Sequence, residues 1–252
     1  MTDQDQLIFD EAGSGPPVLL AHGFPLRRQM WKQQMTALAA SGYRAIAPDL
    51  RGFGQSPLPA GRMSMADYAD DVVALLDRLG IERAVVVGMS MGGYVLLDLL
   101  ERHRSRLAGA VFAVTRAGAD DPAGREKRTM LANAVEGGTP GAVADSFEAV
   151  LFAPETPGRF PELIEEVGNW MRTTSPQGLV GGLIAMRDRR DYRQKLPEFD
   201  VPSLVVGAQE DRAIPVGESR DLDEGLPDST LCEIPGGGHM VNMEQPLSLI
   251  HI

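Results

Sequence analysis

Cysteine is almost absent from this chain of 252 residues: Cys232 stands alone, so no intramolecular disulfide and no cysteine-rich zinc site can form, and packing must hold the molecule together. Long hydrophobic runs are missing too. The longest apolar stretches, 94–97 and 107–114, fall far short of the ~18 residues that span a bilayer. Basic residues are outnumbered, 24 Lys and Arg against 35 Asp and Glu, giving a net charge of −11 with no dense Lys/Arg block. Such a surface repels phosphate backbones and anionic membranes, so neither nucleic acid nor a membrane is expected as a partner. Aromatics make up only 6% of the chain, which leaves aliphatic residues and twelve methionines to fill the interior. The first ten residues are acidic where a secretory leader is basic, and the reading is cytoplasmic, with a leader lost from a longer chain left open.

What remains is the composition of a folded soluble protein, 43% hydrophobic and 23% charged, at a length that fits one large α/β domain or a core with a subdomain. Short β-branched or apolar runs bounded by turn residues fall at 7–10, 18–21, 44–47, 84–87, 109–114, 203–206 and 230–234. Segments with helical spacing lie between several of them, at 30–40, 65–79, 91–103 and 215–225. Strands alternating with helices build βαβ units and a mostly parallel sheet with helices on both faces. Val85-Val86-Val87, apolar without alternation, reads as a central strand buried on both faces. From about residue 116 to 196 the alternation fails: helical patches at 126–135, 142–151, 161–171 and 178–186 are separated by Gly/Pro-rich breaks. This predicts a small helical cap over 116–196, with 1–115 and 197–252 forming the core; ordinary peripheral helices are the alternative.

The chemistry-bearing motif is Gly88-Met89-Ser90-Met91-Gly92, between the Val85–Val87 run and a helical segment. Glycines two before and two after the serine leave room for a very tight strand-to-helix turn that projects the hydroxyl from the sheet's carboxyl edge. A dinucleotide-binding loop is the rival at this kind of turn. It requires Gly-x-Gly-x-x-Gly, normally in the first βαβ unit, whereas here Ser90 takes the middle glycine's place and several strands precede it.

With these residues the chain resembles the α/β-hydrolase family, near its serine carboxylesterase and 3-oxoadipate enol-lactonase branch. His22-Gly23-Phe24-Pro25 is similar to that family's oxyanion loop, and Asp49-Leu50-Arg51-Gly52-Phe53-Gly54-Gln55-Ser56 to its Asp-x-Arg-Gly-x-Gly-x-Ser turn. A serine hydroxyl needs a general base, and the base needs a carboxylate to hold its tautomer. Among four histidines, His103 reads as a helix-end residue and His251 is terminal, while the resemblance gives His22 a structural role. His239, after Pro235-Gly236-Gly237-Gly238, resembles the family's catalytic histidine. The acid implied is Asp211, four residues before Pro215. Glu210 stays open because Ala208 replaces the glycine common three residues before the acid. Ser90, Asp211, His239 is the chain order of this fold.

The oxyanion donors implied are the backbone N–H groups of Met91 and Phe24, since Pro25 has none. Met89 beside the serine, with Trp170 and Met186 in the cap, are candidate pocket residues; Arg116 meets either an anionic group or one of Asp120 and Asp121. The Asp49–Ser56 turn reads as structural, and Cys232 as a small buried hydrophobe. The resulting expectation is a cofactor-free, metal-free hydrolase of small acyl esters or lactones working through an acyl-enzyme. Enol-lactone and perhydrolase chemistry stay open, as does a non-catalytic binding protein on the same fold. Ser90 argues against epoxide hydrolases and haloalkane dehalogenases, whose nucleophile is a carboxylate. This family closes with a full amphipathic helix after the histidine loop, and residues 244–252 leave one or two turns, so a truncated or artificial terminus is expected. Oligomeric state is not read from the sequence.

Overall fold

The computed structural model describes residues 6–59 and 63–251. Its centre is a sheet of strands β1 (Phe9–Ala12), β2 (Pro17–Ala21), β3 (Arg44–Pro48), β4 (Ala84–Met89), β5 (Leu107–Ala113), β6 (Ser203–Ala208) and β7 (Ser229–Ile234). They lie in the order β1-β3-β2-β4-β5-β6-β7, all parallel except β1, which runs antiparallel to β3 with Phe9 opposite Pro48. The helices are α1 (Lys32–Ala40), α2 (Met65–Arg78), α3 (Met91–His103), α4 (Pro122–Glu136), α5 (Gly141–Leu151), α6 (Thr156–Arg159), α7 (Pro161–Arg172), α8 (Pro176–Arg187), α9 (Val216–Gly225), α10 (Val241–Glu244) and α11 (Pro246–Ile250). The run α4 to α8 lies between β5 and β6 and forms the helical cap.

Local signals explain most of these boundaries. Ser64 caps α2 in a reciprocal box with Asp67, and the buried Met65, Tyr68, Ala69, Val72, Leu75 and Leu76 recur at the spacing of one helical face. Asp121 and Ser175 cap α4 and α8, each followed by proline at the first helical position. Two differences from the expected elements stand out. The segment expected as one helix over 30–40 opens with a separate 3-10 turn, Arg28–Trp31, because Arg28 and Trp31 turn inward there. Val86 is fully buried at the sheet centre, but Val85 and Val87 are only half-buried. Their side of the sheet belongs to a packing cluster that receives Leu38 of α1 and Leu249 of the short α11. Cys232 likewise is half-buried on the edge strand β7 rather than enclosed.

The strand order creates the place for a site. The connection after β2 runs to β3 on one side and the connection after its neighbour β4 runs to β5 on the other, so a crevice opens between the carboxyl ends of β2 and β4. Ala21 pairs with Gly88, which starts the loops after β2 and β4 side by side.

Candidate active site

Ser90 stands between β4 and α3 with φ 53° and ψ −114°, a backbone conformation that non-glycine residues adopt only under strain. The surroundings over-determine it. Its N–H donates to the Ala113 carbonyl at 3.0 Å, and its own carbonyl accepts from the Gly93 N–H at 2.9 Å and the Thr115 hydroxyl at 2.8 Å. A Cβ on Gly88 would run into the Gly92 and Gly93 backbone, and one on Gly92 into the Ala21 and His22 carbonyls. Both glycines flanking the serine are therefore demanded by close backbone approach.

The loop after β2 passes directly over this turn: a Cβ placed on Gly23 would lie 3.3 Å from that of Ser90. Phe24 sits inside the turn closed by the Leu26 N–H to the Gly23 carbonyl at 2.9 Å. Its ring meets Phe53 edge-on at 5.7 Å and Phe147 of α5 at 5.2 Å, and Gly182 of α8 leaves space for it. Met91 is the first residue of α3, so its N–H has no acceptor within the helix.

His22 anchors the same loop. It is fully buried; its Nδ1 donates to the Gly23 carbonyl at 2.8 Å and its Nε2 accepts from the Leu50 N–H at 2.9 Å, which requires the neutral ring. Burial pushes its pKa below that of a free imidazole, against the opposing charge of Asp49. Asp49 accepts from the Arg28 N–H at 2.8 Å and the Gln55 N–H at 2.9 Å and pairs with the Arg28 guanidinium. Gly54, at φ 53°, gives its carboxylate room. The Asp49–Ser56 turn is thus held by hydrogen bonds within it and by Arg28 from outside it.

Asp211 and His239 come together from the loops after β6 and β7. Asp211 Oδ2 lies 2.7 Å from His239 Nδ1, and Oδ1 accepts from the Ala213 and Ile214 N–H groups at 2.8 and 2.9 Å. Both residues are buried. An imidazole with Nδ1 on a carboxylate keeps its Nε2 lone pair, the arrangement a general base needs. Glu210 is exposed, and its N–H is bonded to the Gly237 carbonyl at 2.9 Å.

The remaining candidates separate. Met89 and Trp170 are buried in one packing cluster, with Arg27 over the Trp170 ring at 5.4 Å. Met91 and Met186 belong to the cluster that also holds Phe24. The Met186 sulfur lies 3.4 Å from Arg128. Arg116 pairs with Asp120 at 2.5 Å and approaches Glu218 at 3.7 Å. His103, at the end of α3, bonds Asp70 at 2.7 Å. Among the described residues no group of three or more His, Cys, Asp or Glu is placed to hold a metal, and no helix is long and apolar enough to cross a membrane.

Residues the sequence did not single out also meet here. Thr115 braces the Ser90 carbonyl, and Phe147 packs on Phe24. Glu244 is buried beside the His239 loop, and burial pushes its carboxyl above the usual range despite hydrogen bonds from Thr156, Ala153 and Gly238. The available signal for Glu244 was a lone charge in the otherwise uncharged 240–243 neighbourhood.

The pattern described as the alpha/beta hydrolase fold matches residues 16–246. The chain belongs to the α/β-hydrolase family. An AB hydrolase superfamily protein of Bacillus subtilis is 31% identical over 92% of this chain and 88% of its own length. A 3-oxoadipate enol-lactonase from Acinetobacter baylyi is 29% identical, covering 94% of this chain and 86% of its own. Among solved structures, a thermophilic esterase from Thermogutta terrifontis with malate bound superimposes with a TM-score of 0.94 at 37% identity, covering 97% of this chain and 90% of that one. The fold expected from the motifs, a mostly parallel sheet with a helical cap, is therefore this chain's fold.

Proposed function

We propose that this α/β-hydrolase is a serine carboxylesterase that cleaves small acyl esters through an acyl-enzyme. The observation that carries the reading is the buried Asp211–His239 pair, in a molecule whose strained Ser90 turn lies at the sheet's crevice. The likeness to an esterase at 37% identity supports it.

In this reading Ser90 Oγ attacks the ester carbonyl while His239 Nε2 takes its proton. Asp211, fixed by two backbone N–H groups, holds the Nδ1–H tautomer and stabilises the imidazolium that forms. The N–H groups of Met91 and Phe24 receive the developing oxyanion. Collapse of the tetrahedral intermediate breaks the C–O bond to the alcohol, which leaves with the proton from His239. Water, deprotonated by the same imidazole, then attacks the acyl-Ser90 ester and releases the acid, returning the serine proton. A lactone follows the same steps with the leaving oxygen still tethered, and the enol-lactonase relative makes small lactones the second substrate class.

The cap, with bounds we place at 116–196, roofs this site, and Met89 and Trp170, which share one packing cluster, supply an apolar lining, whereas Met186 packs in the other cluster beside Arg128. A roofed apolar pocket favours short acyl groups. The test is peptide mass spectrometry after an organophosphonate, combined with initial rates on nitrophenyl esters. One adduct on Ser90 and rates that fall from acetyl or butyryl to palmitoyl are expected. Adducts elsewhere, or an inert protein that only binds ligands, would overturn the proposal; higher rates on the palmitoyl ester would mean a lipase with an open cap.

A further inference from the structure

Five residues beyond His239, the carboxylate of Glu244 reaches back toward the same loop and across it to the cap. Its Oε2 accepts from the N–H of Gly238, the residue before His239, at 3.0 Å. Its Oε1 accepts from the Ala153 N–H at 2.8 Å, in the turn that joins α5 to α6, and from the hydroxyl of Thr156, the first residue of α6, at 2.5 Å. On the other side of His239, the Met240 N–H donates to the Leu151 carbonyl at 2.9 Å. Both chain neighbours of His239 are thus joined to one short stretch of the cap, 151–156. That stretch also meets the acid: Arg212, the residue after Asp211, donates to the Phe152 carbonyl at 3.1 Å. The approach is close enough to dictate sequence, since a Cβ on Gly238 would stand 2.7 Å from the Phe152 carbonyl carbon.

We infer that Glu244 is a positioning residue: its buried carboxylate clamps the cap turn 151–156 to the His239 loop, so that the cap holds the base in line with Asp211. The inference takes the role of His239 from the hydrolase reading above; the clamp itself stands on the hydrogen bonds. Three donors on one carboxylate suit an ionised acceptor that carries no proton to give. Glutamine keeps the shape but not the pattern. Whichever way its amide turns, its NH2 faces a backbone N–H, that of Ala153 or that of Gly238, and one arm of the clamp is lost.

The test compares Glu244→Gln with the unaltered protein in two readouts. Active sites are titrated with an organophosphonate, and kcat on nitrophenyl acetate is expressed per titrated site; it is expected to fall about tenfold while KM stays within roughly twofold, as misplacement of a base predicts. Amide hydrogen exchange is followed by mass spectrometry on peptides covering 151–156 and 236–241. Both are expected to speed up together, by about tenfold, while the β4 peptide is unchanged. Thr156→Val removes one arm with little change of shape and should move both readouts the same way by roughly two- to threefold. It decides the matter if the glutamine variant does not fold. A kcat per titrated site that stays constant while the melting temperature falls would reduce Glu244 to a structural staple and overturn the inference. Faster exchange in one segment alone, or in neither, would overturn it as well. An unaltered protein that neither turns over ester nor takes the phosphonate would sink the hydrolase reading instead, and the exchange arm would then decide the clamp alone.

Discussion

Ser90→Ala is expected to lower kcat/KM for nitrophenyl acetate by on the order of 10⁶-fold, and His239→Ala by a similar factor. The double variant should be no worse than either alone. In the mechanism proposed above, a hydroxyl without its base and a base without its hydroxyl fail at the same proton transfer, so the losses do not add. Asp211→Asn should cost on the order of 10⁴-fold, because an amide at this position favours the wrong imidazole tautomer. The strained backbone gives an independent check that is not kinetic. With φ at 53° and ψ at −114°, residue 90 occupies a region that glycine enters at little cost. Ser90→Gly should therefore raise the unfolding free energy by about 1 kcal/mol while abolishing turnover. Calorimetry alongside the ester assay measures both effects. Additive losses in the double variant, or a glycine variant that melts lower, would contradict a strained nucleophile working with His239.

The second large effect is on stability and lies at the neck of the cap. Asp120, buried just before α4, receives Arg116, Arg128 and Arg189 on its two oxygens. Arg189 leaves α8 at the other side of the neck, stacks over the Tyr94 ring at 4.2 Å and donates to the Gly118 and Met186 carbonyls at 2.8 Å. The entry and exit of the cap are therefore joined through one carboxylate. Burial pushes the Asp120 carboxyl up, but the hydrogen bond and charge of Arg128, with the charge of Arg189, outweigh it and hold it below the usual range. Burial also lowers the pKa of Arg189, which raises the cost of leaving that cation without its partner. Asp120→Asn removes the carboxylate charge that three guanidinium groups share, leaving Arg116 with Glu218 at 3.7 Å and Arg189, a buried cation, with only the Gly118 and Met186 carbonyls and the Tyr94 ring. Breaking a buried pair in this way costs about 3–5 kcal/mol, a drop in Tm on the order of 10 °C for a chain this long.

The pH dependence follows from the sign of the shift. A carboxyl that titrates lower in the folded state contributes stability that is fully present above its unfolded pKa, about 4. That contribution is lost as the pH falls through the lower folded value. The Tm gap between the original and the asparagine protein should thus be widest near neutrality and narrow toward pH 3. A gap equally wide at pH 3, by scanning calorimetry, would assign the loss to packing rather than to charge.

The sequence alone determined what depends on neighbours along the chain. The Val85–Val87 run, the glycines around Ser90 and the capped, evenly spaced apolar residues of α2 each specify a local conformation, because strand, tight turn and helix are decided within a few residues. Their order also announced a parallel sheet interrupted by a helical cap. Tertiary structure decided the pairings. Asp211 and Glu210 are adjacent in sequence and alike in charge, and only the path of the chain after β6 turns the first toward His239 and leaves the second in solvent. His22 was legible as a loop residue, yet its neutral state follows from a Leu50 N–H brought to it by the β3 connection. Arg116 carried two readings until folding put Asp120 against it. The Glu244 clamp joins residues 91 positions apart, and the Asp120–Arg189 pair joins the two ends of the cap. A charge buried among donors looks in sequence like any charge in solvent. Its worth is set by the donors that distant segments deliver and by the water they exclude, and both exist only once the chain has closed on itself.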